Sequence, residues 1–363
     1  MNIQENVLLA NYTTFKIGGC AKYFAVIKNE EDLKEAVIFA KQKSLPLYVL
    51  GGGSNLLVSD EGVNGLVLKM EIKGFEFKET DFAKQNPSLR AKRSNPEVVR
   101  VVVGAGEIWD DFVKESVDRS LYGLENLSGV PGTVGASVVQ NIECYGAEVK
   151  DSVESVEVFD TETFEIEILT NKQCDFIYRH SIFKTEEGKN FIILRVNFVL
   201  KKEGKLNLGY KDIKNYLKEN NLEEKDIDLK KMREILLFIR KNKLPDLKQF
   251  GTAGSFFKCP IVDSEIFMRL KEIFPDMPNY KIDIGCETSL QGEHKIPIAF
   301  IIDHKLGWRG YREGEVGTFD KHALIVVNHG NATAKDVKNL AEKIVKDVKE
   351  KTGINIETEV VMW

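Results

Sequence analysis

Cysteine is scarce: Cys20, Cys144, Cys174, Cys259 and Cys286 make an odd, scattered set of five in 363 residues, with no Cys-x-x-Cys pair. That excludes a disulfide framework and predicts free thiols in a reducing cytoplasm. The five histidines show no pair at metal-ligand spacing, so no metal is expected. Long apolar runs are also missing. The longest, residues 296–302, stops at Asp303 and is far too short to cross a bilayer. No positively charged leader with an apolar segment opens the chain, so secretion is not expected and a cytoplasmic location is. A net charge of -5 leaves no long basic face for nucleic acid.

Two phosphate-binding signatures are absent as well. The densest glycine cluster, Leu50-Gly51-Gly52-Gly53-Ser54-Asn55-Leu56, is not followed by the Lys-Ser or Lys-Thr of a Walker loop. Residues 56–58 continue as an apolar, strand-like run where a Rossmann fingerprint needs a helix to begin. What the cluster does have is three residues without a Cβ. Their amides can converge on an anion, beside the side-chain donors of Ser54 and Asn55. A bound cofactor with a phosphate or pyrophosphate is one reading; a tight turn between strands is the other.

Around this loop the pattern is βαββ. Residues 23–27, 46–50 and 65–69 read as strands, and Asn29 caps a helix with Leu33, Ala36, Val37 and Ala40 on one face. Residues 79–96, with two Asn-Pro pairs and four basic residues, read as an inserted, solvated surface segment. A strand is predicted over 98–103, then a helix carrying Trp109, Phe112, Val113 and Val117 that stops before Gly123. A second glycine-rich stretch, residues 123–142, sets Ser137, Gln140 and Asn141 among apolar residues. It is either a plain glycine-rich connection or a place where backbone lies close to a ligand or another loop; in the second case two such loops suit one extended cofactor.

Residues 153–159, 163–169 and 191–200 alternate as strands, and the charged stretch 211–233 predicts solvated helices. Between these runs Arg179 is either a surface ion-pair partner or a ligand contact. Further on, Ser255 sits between a Gly-x-x-Gly approach and Phe256-Phe257, with Arg240, Lys243 and Lys258 nearby. It is a turn residue or a hydroxyl held rigidly. The tail predicts a strand over 323–328, a helix opened by the capping box Thr333-x-x-Asp336, and a closing strand over 354–363 carrying Glu357 and Glu359.

In order, Thr-Thr-Phe (13–15), Gly-Gly-Gly-Ser-Asn-Leu (51–56), Gly-Leu-Glu-Asn-Leu-x-Gly-Val-Pro-Gly-Thr-Val-Gly-Ala (123–136), Tyr-Arg-x-Ser-x-Phe-Lys (178–184), Lys-Leu-Pro-Asp (243–246) and Gly-x-Ala-Gly-Ser-Phe-Phe-Lys (251–258) resemble the UDP-N-acetylenolpyruvoylglucosamine reductases. The likeness runs from about Asn11 to Glu359, apart from the 79–96 insert. It implies an α+β fold: a three-domain flavoenzyme with a vanillyl-alcohol-oxidase-like FAD-binding fold plus a C-terminal substrate-binding α/β domain. The implied boundaries are 1–70 with 357–363 returning to it, 71–243, and 244–356.

The resemblance further implies FAD and NADPH as cofactors and the enolpyruvyl sugar nucleotide as a small-molecule substrate sharing one site with NADPH in turn. Hydride goes to C3 and a proton to C2, giving UDP-N-acetylmuramate for peptidoglycan. A monomer is expected, without nucleic-acid or membrane partners. By motif, Ser255 would be the proton donor, Arg179 the carboxylate and enolate partner, and Glu359, preferred to Glu357 because a valine follows it, the third catalytic group. Thr14, Gly51, Gly52, Gly53, Ser54, Asn55, Leu56, Pro131, Gly132, Gly135, Ser137, Gln140 and Asn141 would meet the flavin. Tyr145, Tyr210 as a lid residue, Arg240, Lys243, Lys258 and Lys295 would meet the substrate. Three departures stand out: Glu143-Cys144 where relatives carry Gly-Ala, Cys259 where Asn is common, and Val361 where Arg is common. Another oxidoreductase of the same flavin fold and a non-catalytic nucleotide-sugar binder are the remaining readings.

Overall fold

The computed structural model describes residues 1–79, 98–278, 280–281 and 294–363. Of the segment predicted as a surface insert, Glu79 ends the strand Phe75–Glu79 and the remainder lies outside the described residues, as does Cys286. The chain divides into two compact units. One is Met1–Val7, Ala21–Gly52 and Asn64–Asn242; the other is Leu8–Cys20, Gly53–Val63 and Lys243–Trp363.

Among the described residues, the first unit is built on two larger sheets. In the four-stranded one the order is Ile3–Leu8, Cys20–Ile27, Val63–Met70, Leu47–Leu50, and the last two strands run parallel. The helix Glu30–Gln42, between Cys20–Ile27 and Leu47–Leu50 in the chain, starts where the sequence predicts: the Asn29 side chain accepts from the Asp32 amide at 2.8 Å, and three acidic residues face the positive end of the helix dipole. Its stripe of Leu33, Ala36, Val37 and Ala40 is buried with Ala25, Ile27, Leu66 and Leu68 of the sheet. Full burial of each larger aliphatic contributes about 1.5–3 kcal/mol.

The second sheet is wholly antiparallel: Ile166–Thr170, Val153–Asp160, Phe191–Lys201, Val98–Gly104, Phe75–Glu79. The helix Trp109–Asp118 buries Trp109, Phe112, Val113 and Val117 in the core that holds Val101, Val103 and Phe198. The Trp109 indole N–H donates to the Leu127 carbonyl oxygen at 3.0 Å, so the largest buried side chain leaves no polar atom unmet. Two predictions need correction. The strand expected from residue 163 begins at Ile166, because Phe164 adopts φ +63° in the preceding turn. The charged stretch 211–233 is only partly solvated: the helix Leu229–Lys243 buries Leu229, Met232, Ile235 and Leu236 on one face.

In the second unit a four-stranded antiparallel sheet has the order Gly251–Ser255, His322–Asn328, Val316–Phe319, Arg312–Glu313. The helix Ala334–Thr352 buries Val337, Leu340, Ala341, Ile344 and Val348 in the same core as Val316, Leu324 and Val326. Its N-terminus shows the predicted capping box, and the Asp60 carboxylate takes the Ala334 and Lys335 amides as well, at 2.7 and 3.1 Å. The closing strand is shorter than expected: Val361–Met362 pairs in parallel with Leu56–Leu57, and Thr358 forms an isolated bridge with Phe257.

Candidate active site

In the first unit the two glycine loops meet. A Cβ placed on Gly52 would lie 2.8 Å from the Gly132 Cα, and one on Gly51 would lie 2.7 Å from the Thr133 hydroxyl. Gly52 demands glycine because the Gly132 backbone, eighty residues away, occupies its side-chain space, and at Gly51 the Thr133 and Ala136 side chains do so. The Lys69 ammonium donates to the Gly51 carbonyl oxygen, and burial lowers its pKa from the usual lysine value. Thr133 precedes the helix Val134–Val139. Its buried Oγ1 has no hydrogen-bond partner among the described residues, so a polar ligand group at this loop would satisfy it. Gly135 packs on Ala105, where a Cβ would come within 2.8 Å of the Ala105 methyl. Pro131 is exposed, Gln140 half-buried, and Ser137 is buried with its hydroxyl donating to the Val134 carbonyl oxygen at 2.7 Å.

Asn141 is fully buried and engaged by protein: its Nδ2 donates to Glu148 at 2.5 Å and to the Ile177 carbonyl oxygen at 3.2 Å, and its Oδ1 accepts the Lys150 amide at 3.2 Å. It therefore ties the loop to the segment carrying Arg179. Next comes a tight hairpin, Glu143–Cys144 against Ala147–Glu148, turning through Tyr145 and Gly146 at φ +47° and +76°. Both turn residues are left-handed, the geometry of a primed hairpin turn. Asn141 and Arg179 also have positive φ, +45° and +54°. For the bulky Tyr145 and Arg179 such backbone is strained, and strain of this kind gathers at functional sites.

Two guanidiniums stand at this hairpin. Arg179 Nη1 lies 3.5 Å from a Glu143 carboxylate oxygen and the guanidinium sits by the Tyr178 ring. Arg240 donates from Nε to the Gly129 carbonyl oxygen at 3.1 Å and from Nη1 to the Cys144 sulfur at 3.3 Å. Burial raises the Cys144 thiol pKa, only partly offset by the two arginines, which argues against a reactive thiolate. Tyr145 packs edge-on against the exposed Tyr210, ring centroids 5.1 Å apart, and burial raises its hydroxyl pKa above the usual tyrosine value.

In the second unit four segments converge by hydrogen bonds. Thr14 donates from its hydroxyl to the Thr252 carbonyl oxygen at 2.6 Å, and its amide donates to the Gly53 carbonyl oxygen at 3.1 Å. Asn55 Nδ2 donates to the Glu359 carbonyl oxygen at 3.1 Å, and the Glu359 amide donates to the Phe256 carbonyl oxygen at 2.8 Å. Ser255 ends the strand Gly251–Ser255 opposite Ile325, after a register shift and a left-handed Gly254 at φ +77°. Phe256 and Phe257 directly behind it are buried, so Ser255 is half-exposed on a fixed backbone. Leu56 is buried and Ser54 half-buried. Lys258 pairs with Glu357 at 2.9 Å, Lys295 lies in a short strand beside Ile261, and Lys243 closes the helix Leu229–Lys243.

Over its whole length the chain is similar to curated proteins called UDP-N-acetylenolpyruvoylglucosamine reductase. It is 38% identical to that of Pseudomonas aeruginosa over 359 residues, 99% of this chain and 98% of the other. Against that of Flavobacterium johnsoniae it is 39% identical over 362 residues, 99% of each. The chain belongs to the UDP-N-acetylenolpyruvoylglucosamine reductase family. The family's C-terminal domain matches residues 246–363, and an FAD-binding domain matches residues 21–166. The crystal structure of the reductase from Thermus caldophilus covers 100% of this chain and 99% of its own, with a TM-score of 0.65 at 25% identity. The fold class is therefore the expected one, α+β with an FAD-binding fold and a C-terminal domain, and the protein is an FAD-dependent oxidoreductase. The buried, unpartnered Thr133 hydroxyl, beside which Gly51 leaves no room for a Cβ, fits a polar group of the cofactor.

Among the described residues, three features show only in three dimensions. Thr133 lies within the 131–135 stretch that the family resemblance assigns to the flavin, but its orphaned hydroxyl is evident only in the folded chain. Glu143 and Cys144, visible as departures from the family motif, prove to contact Arg179 and Arg240. A cavity of about 390 Å³ in the second unit is lined by Arg312, Lys321 and His329 among others, residues that no motif marked.

Proposed function

We propose that this family member reduces UDP-N-acetylglucosamine enolpyruvate to UDP-N-acetylmuramate with NADPH, in the supply of peptidoglycan precursors. FAD held at the glycine loops 51–56 and 131–135 would supply the two-electron hydride chemistry between NADPH and the enolpyruvyl C3. The remaining work falls to side chains. Hydride at C3 leaves negative charge at C2, delocalised into the carboxylate. The planar Arg179 guanidinium matches that carboxylate and stabilises the developing enolate. Ser255 gives its hydroxyl proton to C2; a hydroxyl is a weak acid, but the carbanion is a strong enough base to take it. Glu359 contributes a carboxylate to the same step. Arg240, Lys243, Lys258 and Lys295 answer the diphosphate and sugar, and Tyr145 with Tyr210 covers the nucleotide.

The observation that carries this reading is the bond from the Glu359 amide to the Phe256 carbonyl oxygen, which fixes the glutamate segment one residue from Ser255. Supporting it, Thr14, Gly53 and Asn55 of the proposed flavin-binding set are hydrogen-bonded to these two segments or to each other. The test is the purified protein itself. Expected are bound flavin, NADPH oxidation that depends on the enolpyruvyl nucleotide, and UDP-N-acetylmuramate by mass spectrometry. A colourless protein that binds the nucleotide would indicate a non-catalytic binder. Flavin without nucleotide-dependent NADPH oxidation would indicate a different oxidoreductase.

A further inference from the structure

Arg179 and Glu143 form an ion pair whose side chains are 17% and 28% exposed, within reach of solvent. The Nη1 to carboxylate-oxygen distance is 3.5 Å, longer than a tight charge-assisted bond. Glu143 is set there by the hairpin. Cross-strand from it is Glu148, whose carboxylate is engaged by Asn141 Nδ2 at 2.5 Å and by the Lys150 ammonium at 3.1 Å. Glu143 is thus the hairpin carboxylate that meets Arg179, while Cys144 beside it meets Arg240. A protein carboxylate and the carboxylate of an enolpyruvyl group have the same charge and the same planar fork, so they compete for one guanidinium.

We infer that Glu143 is a positioning residue acting through Arg179: its carboxylate holds the guanidinium until the substrate's carboxylate displaces it. The inference rests on the reading above that Arg179 receives that carboxylate. Holding Arg179 aligned on its strained backbone comes at the cost of affinity, because the ion pair must loosen and two carboxylates must approach each other. The resulting penalty falls on carboxylate-bearing ligands and spares nucleotides that lack the group. A structural role for Glu143 would instead change the binding of both.

The test is equilibrium titration of oxidised holoenzyme, without NADPH, followed by flavin absorbance or calorimetry. The probes are UDP-N-acetylglucosamine enolpyruvate and UDP-N-acetylglucosamine, which has no carboxylate. Glu143→Gln preserves shape and removes charge; Glu143→Ala removes the arm. Both are expected to tighten the enolpyruvyl nucleotide about three- to tenfold, the scale of a partly screened ion pair, and to leave UDP-N-acetylglucosamine within about twofold. An unchanged or weaker enolpyruvyl affinity in Glu143→Gln, or parallel shifts for both ligands, overturns the inference. A distinct result overturns the reading beneath it as well: wild-type enzyme that does not prefer the enolpyruvyl nucleotide, together with Arg179→Met that alters neither affinity.

Discussion

The amide of Glu359 donates to the carbonyl oxygen of Phe256 at 2.8 Å, and Asn55 grips the Glu359 carbonyl oxygen from the other side. Two residues earlier, Glu357 lies exposed and pairs with Lys258. The two glutamates of the tail therefore have different surroundings, and their amides should have different effects. Glu357→Gln is expected to leave kcat within about twofold and cost at most ~1 kcal/mol of stability, as exposed ion pairs do. Glu359→Gln is expected to lower kcat by about 10²–10⁴, the scale of a lost acid–base group. Steady-state kinetics on both variants checks this, and equal effects would contradict the assignment.

Gly52 faces the backbone of Gly132 at a distance that admits no methyl group. Gly52→Ala should push the loops apart by several tenths of an ångström at least and loosen the cofactor. The expected outcome is purified protein with well under half the wild-type flavin per chain, and a Tm lowered by about 1–3 °C, the shift that about 1–2 kcal/mol produces in a chain of this size. Full flavin content in a well-folded Gly52→Ala protein would show that the contact is not part of the cofactor cradle.

Asp110 links the helix Trp109–Asp118 to the helix Leu229–Lys243 through a bidentate bond to Arg233 at 2.6 and 2.8 Å, and it also accepts the Gly129 amide at 2.5 Å. Burial pushes its carboxyl pKa up, but the Arg233 hydrogen bond, the Gly129 amide and the charges of Arg233 and Arg240 pull it down further, so the net shift is below the ordinary value. A depressed folded pKa stabilises the fold above the unfolded carboxylate's pKa, about 4, and that contribution disappears as pH falls through the folded value. Asp110→Asn should therefore destabilise the protein at pH 7 by roughly 1–3 kcal/mol, after discounting for the water that still reaches the carboxylate. The gap from wild type should narrow in urea titrations taken into acid. A constant gap would mean the ion pair contributes nothing.

Local signals were legible and long-range ones were not. The helices Glu30–Gln42 and Ala334–Thr352 were readable because Asn29 and Thr333 cap them within one turn, and their apolar stripes recur at helical spacing. The glycine clusters announced close backbone approach, but their contact through Gly52 and Gly132 joins segments eighty residues apart and follows only from the tertiary fold. The helix Leu229–Lys243 was obscured by its charges, since lysines and arginines on one face mask the four apolar residues on the other. Glu143 stood out only as a departure from the family motif, with nothing to name its partner: Arg179 is thirty-six positions away and held by positive-φ backbone that no propensity predicts.

The most direct measurement is anaerobic stopped-flow of Ser255→Ala, following flavin absorbance in each half-reaction. Reduction by NADPH should proceed at close to the wild-type rate, while reoxidation by the enolpyruvyl nucleotide should slow by about 10²–10⁴. Equal slowing of both half-reactions, or reoxidation at the wild-type rate, would contradict a proton donated by this serine.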